Sequence, residues 1–146
     1  MTVAVCIDHN FTPAGEASLT AAIEEASSRA EDLMIVYFSR DGASTDNDRR
    51  EEVLEQASRL ASDAGVSASV LQPDPRRDLV TEFLHLAREI DASLIVVGMR
   101  QRIDVGNFIL SNHSLRILLQ ADRPVLAVKS AQSPLSSVKQ RRVQDP

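Results

Sequence analysis

The chain has a single cysteine and no tryptophan. Cys6 alone cannot build a disulfide framework, and with three scattered histidines (His9, His85, His113) it leaves no ligand spacing for a metal such as zinc. One tyrosine and no tryptophan supply little material for stacking bases, which argues against a single-strand nucleic-acid platform. Apolar runs are short. Residues 94–97 (LIVV) fall far below the roughly 20 residues that a bilayer span needs, so no membrane segment is expected. The start lacks the basic, apolar and small-residue order of a secretory signal, which sets the expectation of a cytoplasmic protein. Neither GxxxxGK followed by Ser or Thr nor GxGxxG occurs, so the two common phosphate-loop fingerprints are missing. No Ser-His-Asp spacing and no paired catalytic carboxylates stand out either.

What remains is an ordinary globular composition. Of 146 residues, 43% are hydrophobic and 25% charged, enough apolar material for one domain with a true core. The net charge of −5 is unevenly spread. Residues 1–128 hold 12 basic and 20 acidic side chains, a body that repels a phosphate backbone and argues against nucleic-acid partners. Residues 130–146 carry Lys139, Arg141 and Arg142 against Asp145, with two prolines, and read as a flexible basic tail after a domain spanning 1–129. Such a tail could dock on an acidic protein partner.

Short apolar runs alternate with helical periods. Residues 2–7, 33–38, 66–71, 93–97 and 124–129 read as strands. The first helix is expected from a Thr12 cap and Pro13, with Leu19, Ala22, Ile23, Ala26 and Ala30 on its apolar stripe. The second covers 49–64 with Val53, Leu54, Ala57, Leu60, Ala61 and Ala64 inward, and Gly65 as its left-handed cap. The third starts at an Asp74 cap and Pro75 and packs Leu79, Val80, Phe83, Leu84, Ala87 and Ile90. The fourth begins near Ser111 and runs to Gln120, while 39–48 and the stretch from Gly98 to Ile109 read as loops. The order β-α-β-α-β-α-β-α-β predicts an α/β fold: a single open, mostly parallel five-stranded sheet with helices on both faces. Ligands bind such sheets beyond the carboxyl ends of the strands, where the strand order reverses.

That rule selects the candidate residues. Asp8 ends the first strand, either as an acceptor for a ligand or as a turn former. Gly98 ends the fourth strand, where a missing side chain admits a ligand or another backbone. Arg100 and Arg102 suit an anion or a solvated loop. Ser111, Asn112, His113 and Ser114 open the last helix, where free amides favour negative charge and where a serine also serves as a plain cap. Cys6, inside a strand, reads as a small buried apolar residue.

Three segments in this order carry a family resemblance: VAVCID (3–8), ASLIVVG (92–98) and ILSNHSLRILLQADRPVLAVK (109–129). Together they resemble the universal stress protein family over residues 2–129. The resemblance implies a Rossmann-like fold of the adenine nucleotide alpha-hydrolase type. It implies a stress-response role and ATP or another adenine nucleotide, with Mg2+, as the ligand. Asp8 would lie on the adenosine side, the backbone near Phe38 beside the base, and Ser111, Asn112, His113 and Ser114 on the phosphate side. ATP-binding members carry G-x2-G-x9-G followed by Ser or Thr. In this chain Gly98 fills the first place, but Gln101 and Ser111 replace the other glycines and Asn112 the hydroxyl residue. A non-glycine that needs positive φ costs about 1 kcal/mol or more. A binding module that holds ATP weakly or not at all is therefore expected. The alternative is slow ATP hydrolysis or adenylate chemistry, relying on Asp8, His113 and the loop arginines. The family trait of edge pairing implies a homodimer through the last strand, between Val125 and Val128; cover by the tail is the competing reading.

Overall fold

A computed structural model describes residues 1–8, 13–38, 46–74, 76–101 and 108–129. In chain order these form β1 (Thr2–Asp8), α1 (Pro13–Arg29), β2 (Asp32–Phe38), α2 (Asp46–Asp63), β3 (Ala68–Leu71), α3 (Leu79–Glu89), β4 (Ala92–Gln101), β5 (Phe108–Leu110), α4 (Asn112–Gln120) and β6 (Val125–Lys129). Five strands are parallel in the order β3-β2-β1-β4-β6. The α/β architecture is the expected one, with one addition. The stretch after Gly98 is not all loop: β4 runs on to Gln101, and β5 pairs with it antiparallel, Met99 opposite Leu110 and Gln101 opposite Phe108. That short hairpin gives the end of β4 the hydrogen-bond partners an isolated strand tip would lack.

The central strands are buried on both faces, which is why they read as unbroken apolar runs. Alternate side chains go to opposite layers. Val3, Val5, Leu33, Ile35, Leu94 and Val96 join one core with Leu19, Ile23, Val53 and Ala57 of α1 and α2. Ala4, Met34, Val36, Ile95 and Val97 join the other, with Val80 and Phe83 of α3 and Ile117 of α4. At the outer edge the burial is lost: Leu71 of β3 is exposed, as is Leu126 of β6.

Helix ends follow local chemistry. α1 and α2 both close with a left-handed residue and the paired hydrogen bonds of a Schellman turn. In α2 the left-handed residue is Gly65 (φ 72°), and Val66 N–H reaches Ala61 C=O at 2.9 Å. In α1 it is Ala30 (φ 55°), and Glu31 N–H reaches Ala26 C=O at 2.9 Å. Ala30 is thus a terminator and not part of the buried stripe; Leu60 and Ala64 of α2 are exposed as well. α2 begins earlier than its apolar stripe, since acidic Asp46 and Asp48 suit a helix N-terminus. α3 begins later than expected. Asp78, immediately before the stripe, is its cap and accepts from Thr81 N–H at 3.3 Å. Asp74 instead closes a small turn, accepting from Arg76 N–H at 2.9 Å. Thr12, Pro75, His9, Arg102 and the tail 130–146 lie outside the described residues.

Candidate functional site

The chain leaves β1 toward β2 and β3, then returns to the far side of β1 to lay down β4. Crossovers therefore part in opposite directions at the carboxyl ends of β1 and β4, and a crevice opens between them. A cleft of about 190 Å3 occupies that position. Its floor is Cys6 and Ile7 of β1, Phe38 at the end of β2, and Gly98 of β4. Ala14, Gly15 and Ser18 in the first turns of α1 form one wall. Arg100, exposed at the rim, and Ser111, His113 and Ser114 at the start of α4 form the other.

Six of the residues singled out in the sequence thus share one cleft: Phe38, Gly98, Arg100, Ser111, His113 and Ser114. Asp8 ends β1 directly after Ile7, paired in register with Phe38, while its side chain lies outside the described ones. Gln101 sits in β4 opposite Phe108, its side chain likewise outside the description. Asn112 is exposed and does not line the cleft. The wall from α1 was not singled out. Its signal was present, because a helix that follows β1 so closely must flank the crevice. Cys6 is half-buried against the cleft and not sealed in the core.

Gly98 has a specific reason to lack a side chain. A Cβ there would lie 2.2 Å from the Ala14 carbonyl oxygen and 2.8 Å from its carbonyl carbon. The glycine admits the first turn of α1 against β4, so the second backbone, not a ligand, claims that space. Ser111 also differs from expectation. Its φ is −65° and ψ 166°, ordinary extended backbone, so serine costs no strain at this motif position. Among the described residues, only Ala30 and Asp91 are non-glycines with positive φ.

Ser111 is the α4 cap. Its Oγ accepts from Ser114 N–H at 3.1 Å, and its hydroxyl donates to Ser114 Oγ at 3.2 Å. One turn on, Arg116 holds α4 to α3: its guanidinium donates to both carboxylate oxygens of Asp78, at 2.8 and 2.6 Å. That pairing, with the Thr81 hydroxyl at 2.5 Å, holds the Asp78 carboxyl well below the usual carboxylate range. The Phe38 ring is buried, edge-on to Phe83 at 6.2 Å and to the His113 ring at 5.5 Å between centroids. His113 is thereby placed over the end of β2. The polar groups of the cleft are hydroxyls, a guanidinium, an imidazole and helix-terminal amides, a set rich in donors and suited to an anion. No cluster of three or more potential metal ligands exists among the described residues, and no described helix is long and apolar enough to cross a membrane.

Comparison with known proteins adds to this geometry. A model of the universal stress protein family matches residues 1–129. A universal stress protein of Mycolicibacterium smegmatis is 33% identical over 127 residues, 86% of this chain and 96% of that one. The solved universal stress protein of Archaeoglobus fulgidus superposes with a TM-score of 0.75 at 25% identity, covering 88% of this chain and 98% of its own. A structure of the universal stress protein from Archaeoglobus fulgidus in complex with dAMP gives 0.69 at 22% identity, covering 88% and 98%. A universal stress protein in complex with cAMP gives 0.63 at 20%, covering 90% and 98%.

Proposed function

This chain belongs to the universal stress protein family, and on that premise we propose that it is a cytoplasmic stress-response binding module whose cleft takes an adenine nucleotide, with ATP held weakly or not at all. The observation that carries the reading is the donor-rich cleft at the reversal of strand order, with Phe38 at one end and the start of α4 at the other. The relatives solved with dAMP and cAMP support adenine nucleotides as the ligand class. The capping role of Ser111 supports low affinity for ATP, because the hydroxyl and an amide that a long phosphate chain would use are already paired. Calorimetric titration with adenosine, AMP and ATP in the presence of Mg2+ tests the reading. Binding of at least one adenine nucleotide is expected. ATP affinity in the low-micromolar range, or no binding of any adenine compound, would overturn it.

The same reading includes a homodimer through β6. Among the described residues β6 pairs with β4 alone, so its other edge carries unpaired backbone groups. α4 adds an apolar shoulder. Ile117 is buried in the core and Arg116 turns toward Asp78 of α3. Helical spacing then leaves Leu115, Leu118 and Leu119 on the side away from α3, exposed by 43%, 42% and 74%. A second copy would cover them. Sedimentation should give a dimer, and Leu118→Asp with Leu119→Asp should give a folded monomer. A wild-type monomer at high protein concentration would refute the assembly.

A further inference from the structure

We propose that the cleft is built for a single phosphoryl group, so that an adenosine monophosphate is held in preference to the triphosphate, and that Ser111 sets this limit. The inference rests on the adenine-nucleotide reading of the same cleft and asks which of its donors are still uncommitted. Each hydrogen bond already made inside the wall is one that a phosphate oxygen cannot have.

At the start of α4 the accounting is short. Leu115 N–H is bonded to Ser111 C=O at 2.8 Å, the first turn of the helix. Ser114 N–H is bonded to Ser111 Oγ, and the Ser111 hydroxyl proton goes to Ser114 Oγ. Asn112 lies off the cleft. On the opposite wall the buried Ser18 hydroxyl donates to Gly15 C=O at 2.9 Å. What faces the cleft beyond these is the His113 amide, which precedes the first intrahelical bond, the Ser114 hydroxyl proton, and the His113 and Arg100 side chains. Three or four donors within one helical turn match the three oxygens of one phosphoryl group. A second and third phosphate would meet no comparable row of amides, and the Ala14 backbone packed against Gly98 closes the route a glycine might have opened. The free space agrees: about 190 Å3 is below the roughly 300–1,000 Å3 of pockets that enclose larger small molecules.

Ser111 is the specificity residue because its backbone is unstrained, so glycine can replace it without moving α4. Ser111→Gly removes the hydroxyl and releases the Ser114 amide toward the cleft, while a glycine cap still supports the helix. An amide given to a phosphate oxygen is a charge-assisted hydrogen bond, worth about tenfold in affinity.

Isothermal titration of the full chain with AMP, ADP and ATP, all with Mg2+, is the test. The native chain should bind AMP at least as tightly as ATP. Ser111→Gly should shift the ratio of the two dissociation constants toward ATP by about tenfold. Ser111→Ala releases the same amide and should shift the ratio the same way, so a folding defect in one variant leaves the other informative. A native chain that binds ATP about tenfold more tightly than AMP overturns this inference and leaves the cleft a nucleotide site. An unchanged ratio in both folded variants removes Ser111 from the role. Absence of any adenine nucleotide binding sinks the reading of the cleft itself.

Discussion

Gly98→Ala probes the join between α1 and β4 more sharply than any ligand experiment. The added methyl would sit 2.2 Å from the Ala14 carbonyl oxygen, 2.8 Å from the carbonyl carbon and 3.2 Å from the Ala14 Cβ. A carbon and an oxygen in contact need more than 3 Å, so α1 must move by about 1 Å or β4 must bend. Neither is free, because Leu19, Ala22, Ile23 and Ala26 lock α1 against Val3, Val5 and Val96. Overpacking of this kind costs about 1–3 kcal/mol, and the obstacle is backbone, so the upper half of that range is expected. Alanine returns about 0.5–1 kcal/mol by restricting the unfolded chain, leaving a net loss of about 1–2 kcal/mol. Urea unfolding followed by circular dichroism should show a lower midpoint at unchanged slope, and Tm should fall by about 3–10 °C. Ala14→Gly in the Gly98→Ala background removes only the 3.2 Å contact and should restore little of the loss. Stability within about 0.3 kcal/mol of the native chain, or rescue by Ala14→Gly, would refute the claim that the glycine exists to admit the α1 backbone.

Two further predictions use the helix ends and the α3–α4 clamp. Ala30→Gly should stabilise the fold by about 0.5–1 kcal/mol, because a left-handed alanine is strained, and Gly65→Ala should destabilise by about 1 kcal/mol at the equivalent position of α2; equal signs in chemical denaturation would contradict the shared turn geometry. The Asp78 carboxyl titrates below its unfolded value near about 3.9, so the stability it lends is complete above that pH and is lost as pH falls through it toward the lower folded value. Asp78→Asn and Arg116→Ala should each flatten the acid limb of the stability profile below about pH 4, modestly, because both side chains are partly solvent-exposed and salt screens them. Acid limbs that superimpose on the native one would remove the clamp from the argument.

Local sequence determined the order of elements. Unbroken apolar runs made β1, β2 and β4 legible because strands buried on both faces carry no polar side chain to interrupt them, and Gly65 and Ser111 announced a helix stop and a helix start through their backbone and hydroxyl chemistry. The family resemblance could place Gly98, Ser111 and Ser114 near a common cleft, because the topological rule needs only the order of strands. What Gly98 is for was settled only in three dimensions, since the atom that forbids a side chain there belongs to Ala14, far away in the chain. The choice of Asp78 over Asp74 as the α3 cap was ambiguous locally, and Arg116, 38 positions later, meets only Asp78. The hairpin of β5 on β4 was invisible for the same reason: three residues carry no periodicity of their own, and their pairing partner supplies the hydrogen bonds that make them a strand. Side-chain pattern is a local property that the chain carries with it, whereas close approach, shared caps and short ladders are pairwise and come into being only when the sheet has formed.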